Sequence, residues 1–183
     1  EGYTDIGEIL ENGTKPLTPE DFEIIANETN ALILDVRHQD DFTKGHIPQS
    51  IFIGIDGGFA PWVGAMIGNV KQPILLVTPK GREKETVTRL SRVGFDQTLG
   101  YLNKGIEAWT KAGNAIDTID GIEVTDLKSL KEQKVLNIFD VRKPGEYALE
   151  HLDEAHSTPL SFINDYMDEF PKNEPFYLHC AGG

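Results

Sequence analysis

Ala31-Leu32-Ile33-Leu34-Asp35-Val36-Arg37 is a short apolar run that ends in an acid and a base. Val135-Leu136-Asn137-Ile138-Phe139-Asp140-Val141-Arg142 has the same form 105 residues later. A run of this length has the reach of a buried strand, and charges at its end mark where it leaves the core. The agreement continues outward. Asp41-Phe42 and Gly45-His46-Ile47 face Glu146-Tyr147 and Glu150-His151-Leu152 at the same offset of 105. Pro73-Ile74-Leu75-Leu76-Val77-Thr78 then faces Pro175-Phe176-Tyr177-Leu178-His179-Cys180 at an offset of 102, so three residues are lost in between. An ordered series of matches, apolar facing apolar, reads as a duplicated domain.

Around these anchors the first copy alternates helix and strand signals. Thr18-Pro19-Glu20-Asp21 starts a helix with a hydroxyl cap, a proline at the first position and acids in the first turn. Gln39–Lys44 predicts a short helix, Ile51–Ile53 and Ile74–Val77 strands, and Glu83–Val93 a helix ended by Gly94. Thr98–Leu102 predicts a further strand and Ile106–Lys111 a last helix. The second copy repeats the beginning of this order. Its strands are Val135–Val141 and Phe176–His179, with a helix capped by Ser161 between them. Alternation of this kind implies an α/β fold with parallel sheets covered by helices. The expected organisation is a lead-in over 1–13, a domain over 14–113, a polar linker over 114–121 and an incomplete second domain over 122–183. The chain lacks an initiator Met and stops where the first copy runs on, so a longer parent is expected.

Composition narrows the function. The 183 residues are 39% apolar, which excludes general disorder. No run approaches the roughly 20 apolar residues of a membrane span, and no secretory signal is visible. The net charge of −13 argues against nucleic acid and anionic membrane as partners. Residues 1–113 carry 11 basic and 16 acidic side chains, and residues 114–183 carry 6 and 14. The single cysteine excludes an intrachain disulfide and fits a reducing, cytoplasmic setting. The five histidines, His38, His46, His151, His156 and His179, have no metal-ligand spacing, so neither metal nor cofactor is expected.

Cys180 is the sharpest chemical feature. It follows a strand pattern and precedes Ala181, Gly182 and Gly183, residues that let a loop curl and aim N–H groups at an anion. Such a loop activates a thiol; the competing reading is a small buried hydrophobe. The Asp-Val-Arg units read as structural, with Arg37 reaching Asp41 and Arg142 reaching Glu146. His46 and His151 fit loop hydrogen bonds. His179 could serve as a base for Cys180, but strand alternation sends neighbouring side chains to opposite faces. Phe59-Ala60-Pro61-Trp62-Val63 reads as a surface contact or, more commonly, a buried aromatic loop.

Taken together, Asp140-Val141-Arg142 with Glu146-Tyr147, His151-Leu152 and a strand ending in Cys180 resembles the rhodanese family of sulfurtransferases. Gly45-His46-Ile47-Pro48 and Tyr101-Leu-Asn-Lys-Gly105-Ile-Glu-Ala-Trp109 add to the resemblance in the first copy. It covers nearly the whole chain. It implies a five-stranded parallel sheet per domain, and a Cys180 thiolate that takes sulfane sulfur from thiosulfate or a persulfide and passes it to a thiol acceptor. In the first copy Thr78 stands at the cysteine position, followed by Pro79-Lys80-Gly81-Arg82-Glu83, which implies a silent domain. The lead-in, with Gly54–Gly64, resembles bacterial proteins in which a metallo-β-lactamase-fold domain, often a persulfide dioxygenase, precedes two rhodanese repeats. Two other functions remain in view: a non-catalytic binding or regulatory module of such a dioxygenase, and a Cys-based phosphatase or arsenate reductase.

Overall fold

The computed structural model describes residues 5–181, and the chain divides into two units, Glu1–Asp120 and Gly121–Gly183. The first unit holds a five-stranded parallel sheet. Its strands are β1 (Pro16–Leu17), β2 (Leu32–Asp35), β3 (Ile51–Phe52), β4 (Ile74–Val77) and β5 (Thr98–Leu102), in the order β1-β5-β4-β2-β3. β4 is buried at all four positions, which suits the centre of a sheet covered on both faces. Alternation along the strands divides the core. Leu34, Ile74 and Leu76 pack with Ile9 of α1 (Ile6–Gly13), Phe59 and Val63 of α4 (Phe59–Met66), and Val87 and Leu90 of α5 (Glu83–Ser91). Leu75 and Val77 pack with Phe22 of α2 (Pro19–Thr29) and Trp109 of α6 (Gly105–Lys111). The short α3 (Gln39–Lys44) buries Phe42.

The helix start at Thr18 is built as the sequence reads. Thr18 accepts the Asp21 N–H and Pro19 opens the helix. Gly100, at φ 138°, meets a steric demand: a Cβ there would lie 2.7 Å from the Lys15 carbonyl oxygen, so only glycine lets β1 come alongside β5.

Three features of the first unit depart from the reading of the sequence. Within the expected lead-in over 1–13, the described residues from Asp5 on belong to the first unit: Asp5 caps α1 and Ile9 of that helix is buried in the core. The stretch from Phe59 is a helix, not an aromatic loop: Phe59 is fully buried and Trp62 is partly exposed. Pro61 is tolerated because it falls in the first turn, where its missing N–H has no partner to lose. Residues 114–119 are strapped back onto the first unit. His46 and Asp117 exchange backbone hydrogen bonds, the Ile119 N–H reaches the Thr43 carbonyl, and Trp109 donates to the Ala115 carbonyl.

The second unit contains α7 (Val124–Lys131), β6 (Asn137–Asp140), α8 (Pro144–Leu149), β7 (Ala155–Ser157), α9 (Ile163–Tyr166) and β8 (Phe176–His179). Its strands are parallel in the order β7-β6-β8, the same arrangement that β3, β2 and β4 have in the first unit. The repeat therefore extends from sequence to topology. Where the resemblance implies five strands, the described residues of this unit form three. Leu136, Ile138 and Ala155 make the core on one face, with Leu127, Leu130, Tyr147 and Tyr177 against them. Phe139 turns to the other face and packs with Phe170, Phe176 and His156. The helix expected from Ser161 is broken into a 3-10 turn (Leu160–Phe162), the four-residue α9 and a second 3-10 turn (Met167–Glu169). Phe162 and Met167 are exposed, so no continuous apolar stripe holds those turns together.

Candidate functional site

Cys180 is the first residue beyond β8, at the carboxyl edge of the parallel sheet, and it is exposed. Open α/β sheets bind ligands at that edge. Ala181 is also exposed; Gly182 and Gly183, expected as further residues of the anion loop, lie outside the described residues.

Behind the cysteine lies the Asp140–Arg142 pair. The Asp140 side chain is fully buried. It accepts from the Arg142 backbone N–H at 2.9 Å, from Nε at 3.0 Å to each oxygen, and from Nη2 at 2.6 Å. Nη2 also donates to the Glu150 carbonyl at 2.7 Å, tying the strand end to the turn after α8. Burial pushes the Asp140 carboxyl up. The Arg142 hydrogen bonds and the charge of His179 outweigh burial and hold it below the usual aspartate range. The same contact with Asp140 drives the Arg142 guanidinium up.

This corrects the predicted ion pairs. Arg142 turns back to Asp140, and Glu146 instead accepts the Lys143 N–H at the start of α8. Arg37 likewise clamps Asp35, not Asp41, with Nε at 2.9 and 3.0 Å, Nη2 at 2.6 Å and a bond to the Gly45 carbonyl at 2.8 Å. The cause is backbone geometry. At an extended strand end, residues two apart share a face, so Asp-x-Arg closes on itself. His46 and His151 have the structural role expected of them. Their Nδ1 atoms meet the Phe42 and Tyr147 carbonyls at 3.0 and 2.8 Å, and their rings stack on those same residues.

In the first unit Thr78 follows β4 as Cys180 follows β8, and it is buried. In the loop that follows, Gly81, at φ 85°, donates its N–H to Glu83 Oε1 at 3.0 Å, so a carboxylate of the chain itself takes that N–H. Arg82 is turned away and held by Asp56 at 2.9 Å and Glu85 at 2.8 Å. Those contacts drive the Arg82 guanidinium up, and the Arg82 hydrogen bond holds the Glu85 carboxyl down. The nearby Tyr101 phenol is pushed up by burial and then by the Glu83 charge. Thr78 reads as inert from the sequence; the Gly81–Glu83 contact appears only in three dimensions.

Among the described residues, no group of three or more His, Cys, Asp or Glu side chains is placed to hold a metal ion. No helix of the described residues is long and apolar enough to cross a membrane.

Two parallel α/β units, each closed by an Asp-x-Arg clamp, agree with the comparison to known families. A rhodanese-like domain model matches residues 18–112 and 123–183, and the chain belongs to that family. Among curated proteins it is similar to YibN of Escherichia coli (strain K12), described as an uncharacterized protein. That match is 29% identical over 113 residues, or 61% of this chain and 77% of YibN. Among solved structures it is similar to the thiosulfate sulfurtransferase of Pseudomonas aeruginosa, with TM-score 0.49 and 21% identity over 85% of this chain. The match spans only 36% of that protein. It is also similar to SseA of Escherichia coli, from a study of 3-mercaptopyruvate sulfotransferases. There the TM-score is 0.46 and identity 15%, covering 80% of this chain and 74% of SseA.

Proposed function

We propose that this chain is a sulfurtransferase module whose reacting group is the Cys180 thiolate. The observation that carries the reading is the exposed cysteine at the carboxyl edge of a parallel rhodanese-like sheet, followed by small residues that can approach an anion closely. The donor is a small sulfane-sulfur compound, thiosulfate or a persulfide. With thiosulfate, the Cys180 thiolate attacks the outer sulfur, an S–S bond forms, and the bond to the sulfonate sulfur breaks with its electron pair leaving as sulfite. Cys180 then carries a persulfide anion. A thiolate acceptor attacks the terminal sulfur, a new persulfide leaves, and the Cys180 thiolate is restored. No external oxidant or reductant is consumed. Backbone N–H groups around the loop would stabilise the anions in both steps. The first unit carries no sulfur chemistry of its own in this reading, since a threonine hydroxyl forms no persulfide and the Gly81 N–H in its loop is already bonded to Glu83.

Treating the protein with thiosulfate or a low-molecular-weight persulfide, followed by intact mass measurement, should show a gain of one sulfur atom on Cys180. The gain should be absent in Cys180→Ser. Wild-type protein that acquires no sulfur from either donor would overturn the proposal. It would favour the second reading, a non-catalytic binding module, for which the threonine copy is the supporting observation. A fused or partnering metallo-β-lactamase-fold persulfide dioxygenase would supply the setting for either reading.

A further inference from the structure

The two strand ends differ in what anchors them. β4 and β8 occupy the same place in their sheets, and each lies beside an aspartate clamped by arginine. Asp35 is in register with Val77, and Asp140 with His179. Each strand end accepts the same backbone hydrogen bond. Val36 donates to the Val77 carbonyl at 2.9 Å and Val141 to the His179 carbonyl at 3.1 Å. Val77 is anchored by apolar burial among Leu75, Phe22 and Trp109. His179 lacks that anchor, and 29% of its side chain is exposed. Its Nε2 is buried, without a hydrogen-bond partner, and stands 3.6 Å from Asp140 Oδ2.

We infer that His179 is a positioning residue for Cys180: a proton on Nε2, directed at the buried Asp140 carboxylate, fixes the strand end from which the cysteine projects. A buried nitrogen left unpaired is costly, so closing the remaining half-ångström or so is favoured. The carboxylate offers about four acceptor positions, and three Arg142 N–H groups, of the backbone, Nε and Nη2, already use it, the Nε one shared between both oxygens, which leaves one position for a further donor. Alternation sends the Cys180 side chain to the opposite face, so His179 acts through the strand and not as the base. It also adds a second donor facing the Asp140 charge, the nearest buried negative charge to the strand end that carries the reacting thiolate. The inference takes Cys180 as the reacting group from the proposed function.

The test compares wild type, His179→Val and His179→Gln in the full chain. Valine reproduces the residue that the first unit carries at this place, and glutamine keeps a donor. Cys180 is the only cysteine, so alkylation by iodoacetamide reads its environment without ambiguity. Loss of one hydrogen bond to a charged group should lower kcat for sulfur transfer about fivefold in His179→Val, with donor KM unchanged. Alkylation should slow about threefold in the same variant, while His179→Gln stays close to wild type in both measurements. Imidazole nitrogen chemical shifts of the wild type should place a proton on Nε2. That last measurement decides even if a variant fails to fold. A proton on Nδ1 alone, or alkylation rates equal in all three proteins, would overturn the positioning role. Wild type that takes up no sulfur, yet shows the alkylation difference, would overturn the sulfurtransferase reading and leave His179 in its role.

Discussion

Replacing Asp140 by Asn keeps the shape of the side chain and removes its charge. In the native unit that charge accepts three hydrogen bonds from the Arg142 side chain and one from its backbone, in a site where the carboxylate has no exposure. Breaking a buried ion pair costs about 3–5 kcal/mol. The lower end applies here, because the Arg142 side chain is 20% exposed and keeps its bond to the Glu150 carbonyl. An asparagine NH₂ would also turn a donor toward the guanidinium. The expected loss at pH 7 is about 3 kcal/mol of the second unit's stability. Both tryptophans, Trp62 and Trp109, belong to the first unit, so their fluorescence does not follow this change. Amide hydrogen exchange across β6 does. The pH dependence sharpens the prediction. A carboxyl held below its ordinary value of about 3.9 favours the folded state above that pH, and the advantage is lost as pH falls through the folded-state value. The gap between wild type and Asp140→Asn should therefore shrink below about pH 4. A loss under about 1 kcal/mol at pH 7, or a gap that does not narrow in acid, would refute the assignment of Asp140 as a buried, arginine-stabilised charge.

Two further outcomes follow from the first unit. Thr78→Cys should create no sulfur transfer when Cys180 is replaced by Ser, because the Gly81 N–H stays bonded to Glu83 and Arg82 remains held by Asp56 and Glu85; sulfur uptake on residue 78, seen by intact mass, would contradict this. Phe22→Ala should cost about 3–5 kcal/mol, since Phe22 is fully buried with its ring edge-on to Trp109 at 6.0 Å. Urea unfolding followed by Trp109 fluorescence reads it, and a midpoint equal to wild type would show that the core on that face is not built around this pair.

The strands were legible because period and composition agree: Ile74–Val77, Thr98–Leu102 and Phe176–His179 fall where the apolar runs stand. The helix from Pro19 was legible because capping is local chemistry. What escaped the sequence depends on direction or distance. Arg37 and Arg142 were matched to acids four residues on, a helical spacing, although the chain is extended there and the acid two residues back shares their face. The helix from Phe59 was hidden by Gly57, Gly58 and Pro61, which punctuate a turn when read locally but suit a helix start. The strap through Asp117 pairs with His46 across 71 positions, which no local pattern reports. Cys180 was found by its place after a strand, whereas the unpaired Nε2 of His179 appears only when β6 and β8 lie side by side.

The two arginine clamps match almost bond for bond, yet only one stands beside a thiol. The clamp has the same donors and the same carbonyl partner in the copy that carries threonine after its strand and in the copy that carries cysteine. A clamp indifferent to that residue answers to a demand of the fold, that of letting the chain leave a buried strand without stranding a charge. The Asp-Val-Arg signature is therefore a mark of the architecture, and finding it in a sequence says where a sheet ends before it says anything about sulfur.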